Sequence, residues 1–238
     1  MEQKTTTVVP HSSYEQLNQS FGLEYNRDLQ FYCAKLGLHL SDFKDKDVLD
    51  IGSGGALVMK TLYSLGIAKS ILCINPHTRI QRDEETSAFI SEIDVWDDYY
   101  GSLPEDERKV IEAHFQSITL PAEAPGMGLK PESFDLIVSV EGVPFYIKER
   151  ARAIVLFAEV AQLLREGGEF RCFPAYDSAE FNRKSSAIKI PNLIDDPEFI
   201  KMLSEVKEKC NVEFLPPRSC DFSHTLIMKK RPKKPFTQ

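Results

Sequence analysis

Val48-Leu49-Asp50-Ile51-Gly52-Ser53-Gly54-Gly55 is the stretch on which the reading of this chain turns. A short apolar run ends in a carboxylate and breaks at glycines, and residues 56–65 then resume an apolar pattern at helical spacing that Gly66 closes. The order is strand, tight turn, helix. Glycines can take positive φ and let a ligand approach bare backbone, while the first turn of a helix carries N–H groups with no partner inside the helix. A plain tight turn is the other reading of the same residues.

Downstream, Ser70-Ile71-Leu72-Cys73-Ile74 is a continuous apolar run closed by Asn75-Pro76, as expected of a strand covered on both faces. Residues 83–112 are charged and amphipathic, with Phe89, Ile93, Trp96 and Tyr100 on one helical stripe and a break over 101–104, which predicts two helices. A short strand is expected over 114–118, before a loop holding Pro121, Pro125, Gly126 and Gly128. Phe134-Asp135-Leu136-Ile137-Val138-Ser139-Val140 is the clearest strand, followed by a helix over 152–164 that Gly167-Gly168 should stop. Phe170-Arg171-Cys172-Phe173, a helix over 197–209, and strands at Val212-Glu213-Phe214-Leu215 and Thr225-Leu226-Ile227-Met228 complete the pattern. Strands alternating with helices predict an α/β fold of right-handed βαβ units, a doubly wound sheet.

Upstream, Leu17, Phe21, Tyr25, Leu29, Tyr32 and Leu36 recur at helical spacings, with Gly22 and Gly37 as interruptions. Residues 1–40 are therefore a helical leading segment or lid, 41–230 the main domain and 231–238 a basic tail. The aromatic residues Tyr14, Phe21, Tyr25 and Tyr32 either line a small apolar pocket or simply pack an amphipathic helix onto the sheet, the reading we favour.

With 238 residues, 42% of them hydrophobic, the chain can bury a sizeable core. A net charge of -7 argues against general attraction to nucleic acid, whose phosphates favour clustered Lys and Arg. The five cysteines form no C-x-x-C pair, so neither a metal site nor a disulfide framework is expected and a reducing compartment fits. The polar first residues and the lack of a long apolar stretch predict a cytoplasmic protein with no membrane span. The run Lys229-Lys230-Arg231-Pro232-Lys233-Lys234 reads as a solvated tail, with contact to acidic lipid or nucleic acid as the alternative.

In a doubly wound sheet the ligand sits at the carboxyl ends of the strands, where the strand order reverses. A dinucleotide site would need a third glycine where this chain has Leu57, and a phosphate-binding P-loop would need a Gly-Lys-Ser or Gly-Lys-Thr that is missing. Asp50, Gly52 and Gly54, the Phe134-Asp135 strand, the Gly167-Gly168 turn and the closing Thr225-Leu226-Ile227-Met228-Lys229 occur in an order that resembles the class I S-adenosylmethionine-dependent methyltransferases, over roughly residues 45–230. That resemblance implies a mostly parallel seven-stranded sheet with helices on both faces and an antiparallel last strand.

It also implies a cofactor site. The backbone of Gly52, Ser53 and Gly54 would meet the amino acid part of S-adenosylmethionine, with Asp50 positioning its ammonium. Asn75, beside Pro76, stands where the family usually has a carboxylate for the ribose hydroxyls, and Gln116 and Ser117 stand where an acidic residue usually meets adenine. Glu141 falls where the family faces the methyl group or the substrate; a surface carboxylate capping Gly142-Val143-Pro144 is the alternative. Pro144-Phe145-Tyr146 lacks the leading Asp-Pro of nitrogen methyltransferases, so the acceptor atom is left open.

In-line methyl transfer works largely by holding acceptor and methyl at attack distance and requires no dedicated base. Glu141, Tyr146, His77 and His224 are the candidates if the acceptor must be deprotonated. The expected activity is methyl transfer to a small-molecule acceptor, releasing S-adenosylhomocysteine, with a protein substrate as a further option. Two alternatives stay open: a methyltransferase-like binding or scaffold protein that has lost cofactor use through Asn75 and Gln116, and a Rossmann NAD(P)-dependent oxidoreductase.

Overall fold

The computed structural model describes residues 29–52, 62, 66–75, 104–106, 109, 115–119, 127–140, 142, 150–175, 196–217 and 223–233. Along the chain come helix α1 (Leu29–Leu36), strands β1 (Asp47–Ile51), β2 (Ser70–Asn75), β3 (Phe115–Thr119) and β4 (Phe134–Val140), helix α2 (Arg150–Leu163), strand β5 (Leu164–Phe173), helix α3 (Pro197–Lys209), and strands β6 (Cys210–Leu215) and β7 (Thr225–Lys230). The strands form one seven-stranded sheet in the order β3-β2-β1-β4-β5-β7-β6. β1 pairs in parallel with β2 and β4, β2 with β3, and β4 with β5, whereas β7 runs antiparallel to both β5 and β6. This is the doubly wound sheet that the alternation of strands and helices predicts, with the antiparallel last strand that the resemblance implies.

The two faces are filled by alternate residues of the same strands. Leu49 and Ile51 of β1 join Phe157 of α2, Phe170 of β5 and Phe199 of α3 on one face. Val48 of β1 joins Tyr32 and Leu36 of α1, Cys73 of β2, Val138 of β4 and Phe173 of β5 on the other. Every residue of β1 is buried, which explains why that strand reads as an apolar run rather than an alternating one. α3 is amphipathic in the ordinary way, burying Phe199, Met202, Leu203 and Val206. Its start is set by Asp196, whose carboxylate accepts from the backbone N–H of Glu198 at 2.8 Å and of Phe199 at 3.1 Å, with Pro197 in the first turn.

At the amino ends of the central strands, Arg165 bridges Asp47 and Asp135 at 2.5 and 2.8 Å, and Asp47 also accepts from Lys69 at 2.9 Å and Ser70 at 2.5 Å. Burial pushes the Asp47 carboxyl up, but the hydrogen bonds from Ser70, Lys69 and Arg165 outweigh it and hold the group at about 2. One cluster of charges thus ties β1, the start of β2, β4 and β5 together at the end of the sheet opposite the glycine turn.

The chief difference from the sequence reading lies in β5. Gly167-Gly168 does not stop the preceding helix: α2 ends at Leu163, and the chain enters β5 at Leu164 rather than Phe170. Pairing passes from Phe134↔Leu164 to Leu136↔Glu169, so the glycine pair lies where the register of β5 shifts. Gly167 has a φ of 75°, and a Cβ on Gly168 would lie 3.0 Å from both the Arg165 and Phe134 carbonyl oxygens. Glycine is needed there for close backbone approach within a strand. Of the expected helices over 56–65 and 83–112, Leu62, Glu105, Asp106 and Lys109 are helical, Pro104 falls in the expected break, and the other residues lie outside the described set, as does the leading segment before Leu29.

The expected basic tail begins as ordered structure. Lys229 and Lys230 belong to β7, Lys230 donates to the Leu164 carbonyl at 2.6 Å and to Glu132 at 3.2 Å, and Lys233 pairs with Glu132 and Glu166. Among the described residues no helix is long and apolar enough to cross a membrane.

Candidate functional site

The strand order reverses between β1 and β4, so the carboxyl ends of these two strands define the crevice where a ligand of this architecture binds. β1 delivers Asp50, Ile51 and Gly52 to that point. Gly52 turns the chain with a φ of 82°, a left-handed conformation that a side chain disfavours, and its N–H donates to the Ile74 carbonyl of β2 at 2.7 Å.

Two neighbours from the β4 side lock the turn. The buried Ser139 hydroxyl donates to the Ile51 carbonyl at 2.7 Å, tying β4 to the end of β1. Gly142 packs directly on the turn: a Cβ there would lie 2.5 Å from the Ile51 carbonyl oxygen and 2.8 Å from the Gly52 Cα. β1, β2 and β4 therefore converge on one residue pair, Ile51 and Gly52, through backbone contacts too close for any residue but glycine at 142.

Asp50 sits beneath this turn with a relative exposure of 1%. It faces Cys73 in register on β2 and Val138 in register on β4, on the face of the sheet that α1 covers. One carboxyl oxygen accepts a long 3.4 Å hydrogen bond from the Tyr32 hydroxyl, and the other has no hydrogen-bond partner among the described residues. Burial pushes the carboxyl up to about 8, against the smaller lowering effect of the Tyr32 hydroxyl. A buried carboxyl with an unsatisfied oxygen next to a glycine turn is costly for folding alone and suited to receiving a cation.

α1 is held over this face from its carboxyl end. Arg171 of β5 donates to the Leu36 and Gly37 carbonyl oxygens at 2.8 and 2.7 Å, and the Thr225 hydroxyl of β7 donates to that of Lys35. These groups satisfy carbonyls that the helix end leaves open.

Asn75, expected at the ribose, is the last residue of β2, one step past the Ile51↔Ile74 pair and beside the turn. Gln116 and Ser117, expected where the family meets adenine, lie inside β3, in register with Leu72 and Cys73, in the strand expected over 114–118. His224 precedes β7, with its carbonyl accepting from Ala175 N–H at 2.8 Å and its ring edge-on to Phe214; β4 and β5 separate it from the glycine turn. Ser53, Gly54, Pro76, His77, Glu141 and Tyr146 lie outside the described residues.

The sequence reading missed Gly142 and did not connect Tyr32 with Asp50. A glycine two residues past a buried strand is itself a sign of close backbone approach and could have marked Gly142. Nothing in linear spacing links Tyr32 to Asp50.

No family model matches the chain, and no curated protein matches it. Among solved structures, the chain is similar to a protein from Pyrococcus horikoshii, with a TM-score of 0.52, 13% identity, and coverage of 94% of this chain and 100% of that one. It is also similar to an S-adenosylmethionine-dependent methyltransferase from Mesorhizobium loti, with a TM-score of 0.50, 13% identity, and coverage of 87% and 99%. A Listeria monocytogenes protein assigned to the same class gives a TM-score of 0.50 at 12% identity, covering 84% and 98%. At these identities the likeness is one of fold.

Proposed function

We propose that this chain, which has the class I methyltransferase fold, is a methyltransferase that binds S-adenosylmethionine at the Gly52 turn and passes its methyl group to a small-molecule acceptor. The observation that carries this reading is the orphaned Asp50 oxygen buried beneath a turn that β2, β4 and Gly142 clamp from both sides. A buried carboxyl and a glycine cradle are what the ammonium and carboxylate ends of an amino acid require: the first offers an anionic oxygen, the second bare backbone. The cofactor, when bound, supplies an electrophilic methyl group on a sulfonium.

The protein's part is positioning. Asp50 offers its free oxygen to the ammonium, Gly52 admits close approach, and Ser139 and Gly142 hold the turn so that it does not yield when loaded. Asn75 would meet the ribose as amide oxygen and N–H rather than as two carboxylate oxygens, a weaker hold on two hydroxyls. Glu141 or Tyr146 would face the acceptor, with His77 as another candidate to take its proton. A reaction that proceeds by holding the reacting atoms in line needs no more than this.

Asn75 also favours a second reading, a methyltransferase-like binding protein that has given up tight cofactor binding. Calorimetric titration with S-adenosylmethionine and S-adenosylhomocysteine, with NAD and NADP as controls, separates the two. Binding of the adenosyl ligands alone at micromolar Kd, about 8 kcal/mol, is the expected outcome. Asn75→Asp should tighten it. Silence from all four ligands in a folded protein overturns the enzyme reading, and binding of NAD alone would point to an oxidoreductase.

A further inference from the structure

We propose that Tyr32 is a positioning residue for the cofactor: from α1 its hydroxyl holds one carboxyl oxygen of Asp50 so that the other is presented to an ammonium group, and binding of that group drives a proton off Asp50. The inference rests on the proposed cofactor. It stands on three observations of geometry: Asp50 is 1% exposed, one of its carboxyl oxygens has no hydrogen-bond partner among the described residues, and the other is held by a hydroxyl from a different element of the fold.

A carboxylate in that position would be an unpaired charge in an apolar cluster made of Leu36, Val48, Cys73, Val138 and Phe173. Before ligand arrives, the group keeps its proton, in line with the rise of its titration to about 8 through burial. Among the described residues, the ionisable groups on elements packed against it are Cys73 on β2 and Tyr32, Cys33 and Lys35 on α1. β4 presents Val138, which does not titrate. The Lys35 ammonium lies over two rings, 5.1 Å from the Phe31 centroid and 4.9 Å from that of Phe173. Burial and the Tyr32 hydroxyl are what set the acidity of Asp50.

When an ammonium reaches the free oxygen, the balance reverses. The carboxyl O–H bond breaks, the proton leaves to solvent, and the resulting carboxylate is shared between the ammonium and the Tyr32 hydroxyl. The proton release is coupled to binding and must appear as a pH dependence of affinity. Tyr32 lies on α1, whose carboxyl end Arg171 and Thr225 clamp to β5 and β7, so the same hydrogen bond also makes the helix sensitive to what occupies the turn.

The test is calorimetry of the full chain with S-adenosylhomocysteine from pH 6 to 9, repeated in buffers of different ionisation enthalpy, for the wild type and for Tyr32→Phe. The ligand-free carboxyl is followed in parallel by its carbon NMR shift. The wild type should release close to one proton on binding near neutral pH, with affinity rising up to about tenfold per pH unit below the carboxyl midpoint. Tyr32→Phe, which keeps the ring and loses the hydroxyl, should raise the midpoint in the ligand-free protein, move the proton-release window upward in pH and weaken binding several-fold.

A wild type that binds without releasing protons, or a Tyr32→Phe variant that only loses stability and keeps the wild-type pH profile, overturns the inference and leaves the cofactor reading intact. No binding of the adenosyl ligand by the folded wild type overturns both.

Discussion

Gly142 makes the sharpest demand on residue identity in the candidate site. A methyl group there would lie 2.5 Å from the Ile51 carbonyl oxygen, and the neighbour is backbone of the very turn that the strands hold, so it cannot swing aside as a side chain can. Gly142→Ala should lower stability by about 1–3 kcal/mol, the range for forced overpacking. It should also weaken binding of S-adenosylhomocysteine more than the stability loss alone would. Paired thermal unfolding and calorimetry check this, and unchanged ligand affinity in a folded Gly142→Ala protein would remove the turn from the site. The contrast with Asp50 is instructive. Its acidic identity at the end of an apolar run was visible in the sequence, whereas its missing hydrogen bond was not, because an orphaned atom is defined by every element around it.

Among elements, legibility followed how much of each signal is local. β4 and α3 occupy the residues that their patterns predict, since an apolar run and an Asp196-Pro197 start each carry their own information. β5 does not: its first residues are polar and its glycines resemble a helix stop, and only pairing with β4 makes Leu164 a strand residue. α1 is a similar case, because its spacing shows a helix while its anchor, Arg171, lies far along the chain. Arg171 donates to the Leu36 and Gly37 carbonyls and is balanced by Glu169 at 3.0 Å. Replacing it with leucine should leave those carbonyls unpaired, costing about 1–3 kcal/mol. Amide hydrogen exchange should quicken in α1 while the β1–β4 amides keep their protection; equal rates throughout α1 would show that the helix is held by its apolar face alone.

Two aspartates of β1, Asp47 at its start and Asp50 near its end, respond to pH in opposite ways. Asp47 titrates at about 2 against an ordinary value of 3.8, so its stabilising contribution is present above about 4 and is lost as pH falls toward 2. Asp50 titrates at about 8. Between pH 4 and 8 the unfolded chain has lost that proton and the folded one keeps it, so stability falls as pH rises, by on the order of 5 kcal/mol at about 1.4 kcal/mol per unit. Denaturant unfolding of the ligand-free protein at pH 4.5 and 8 should show this decline, and Asp50→Asn should remove most of it. A variant with the wild-type slope would mean that Asp50 is ionised in the fold.

The sheet ends at β6, beyond β7, and the outward side of β6 is therefore free of strand partners within the described residues. Such a margin is a template on which another molecule's chain can crystallise into a growing stack. Here the strand is only Cys210–Leu215, it exposes Asn211 and Glu213, and Pro216 and Pro217 follow it at once. Proline has no N–H to offer a newcomer, and the Glu213 carboxylate of one copy repels that of the next. The margin is thereby built to discourage self-templated fibre growth, a protection that replacing both prolines and Glu213 by β-branched residues would strip away.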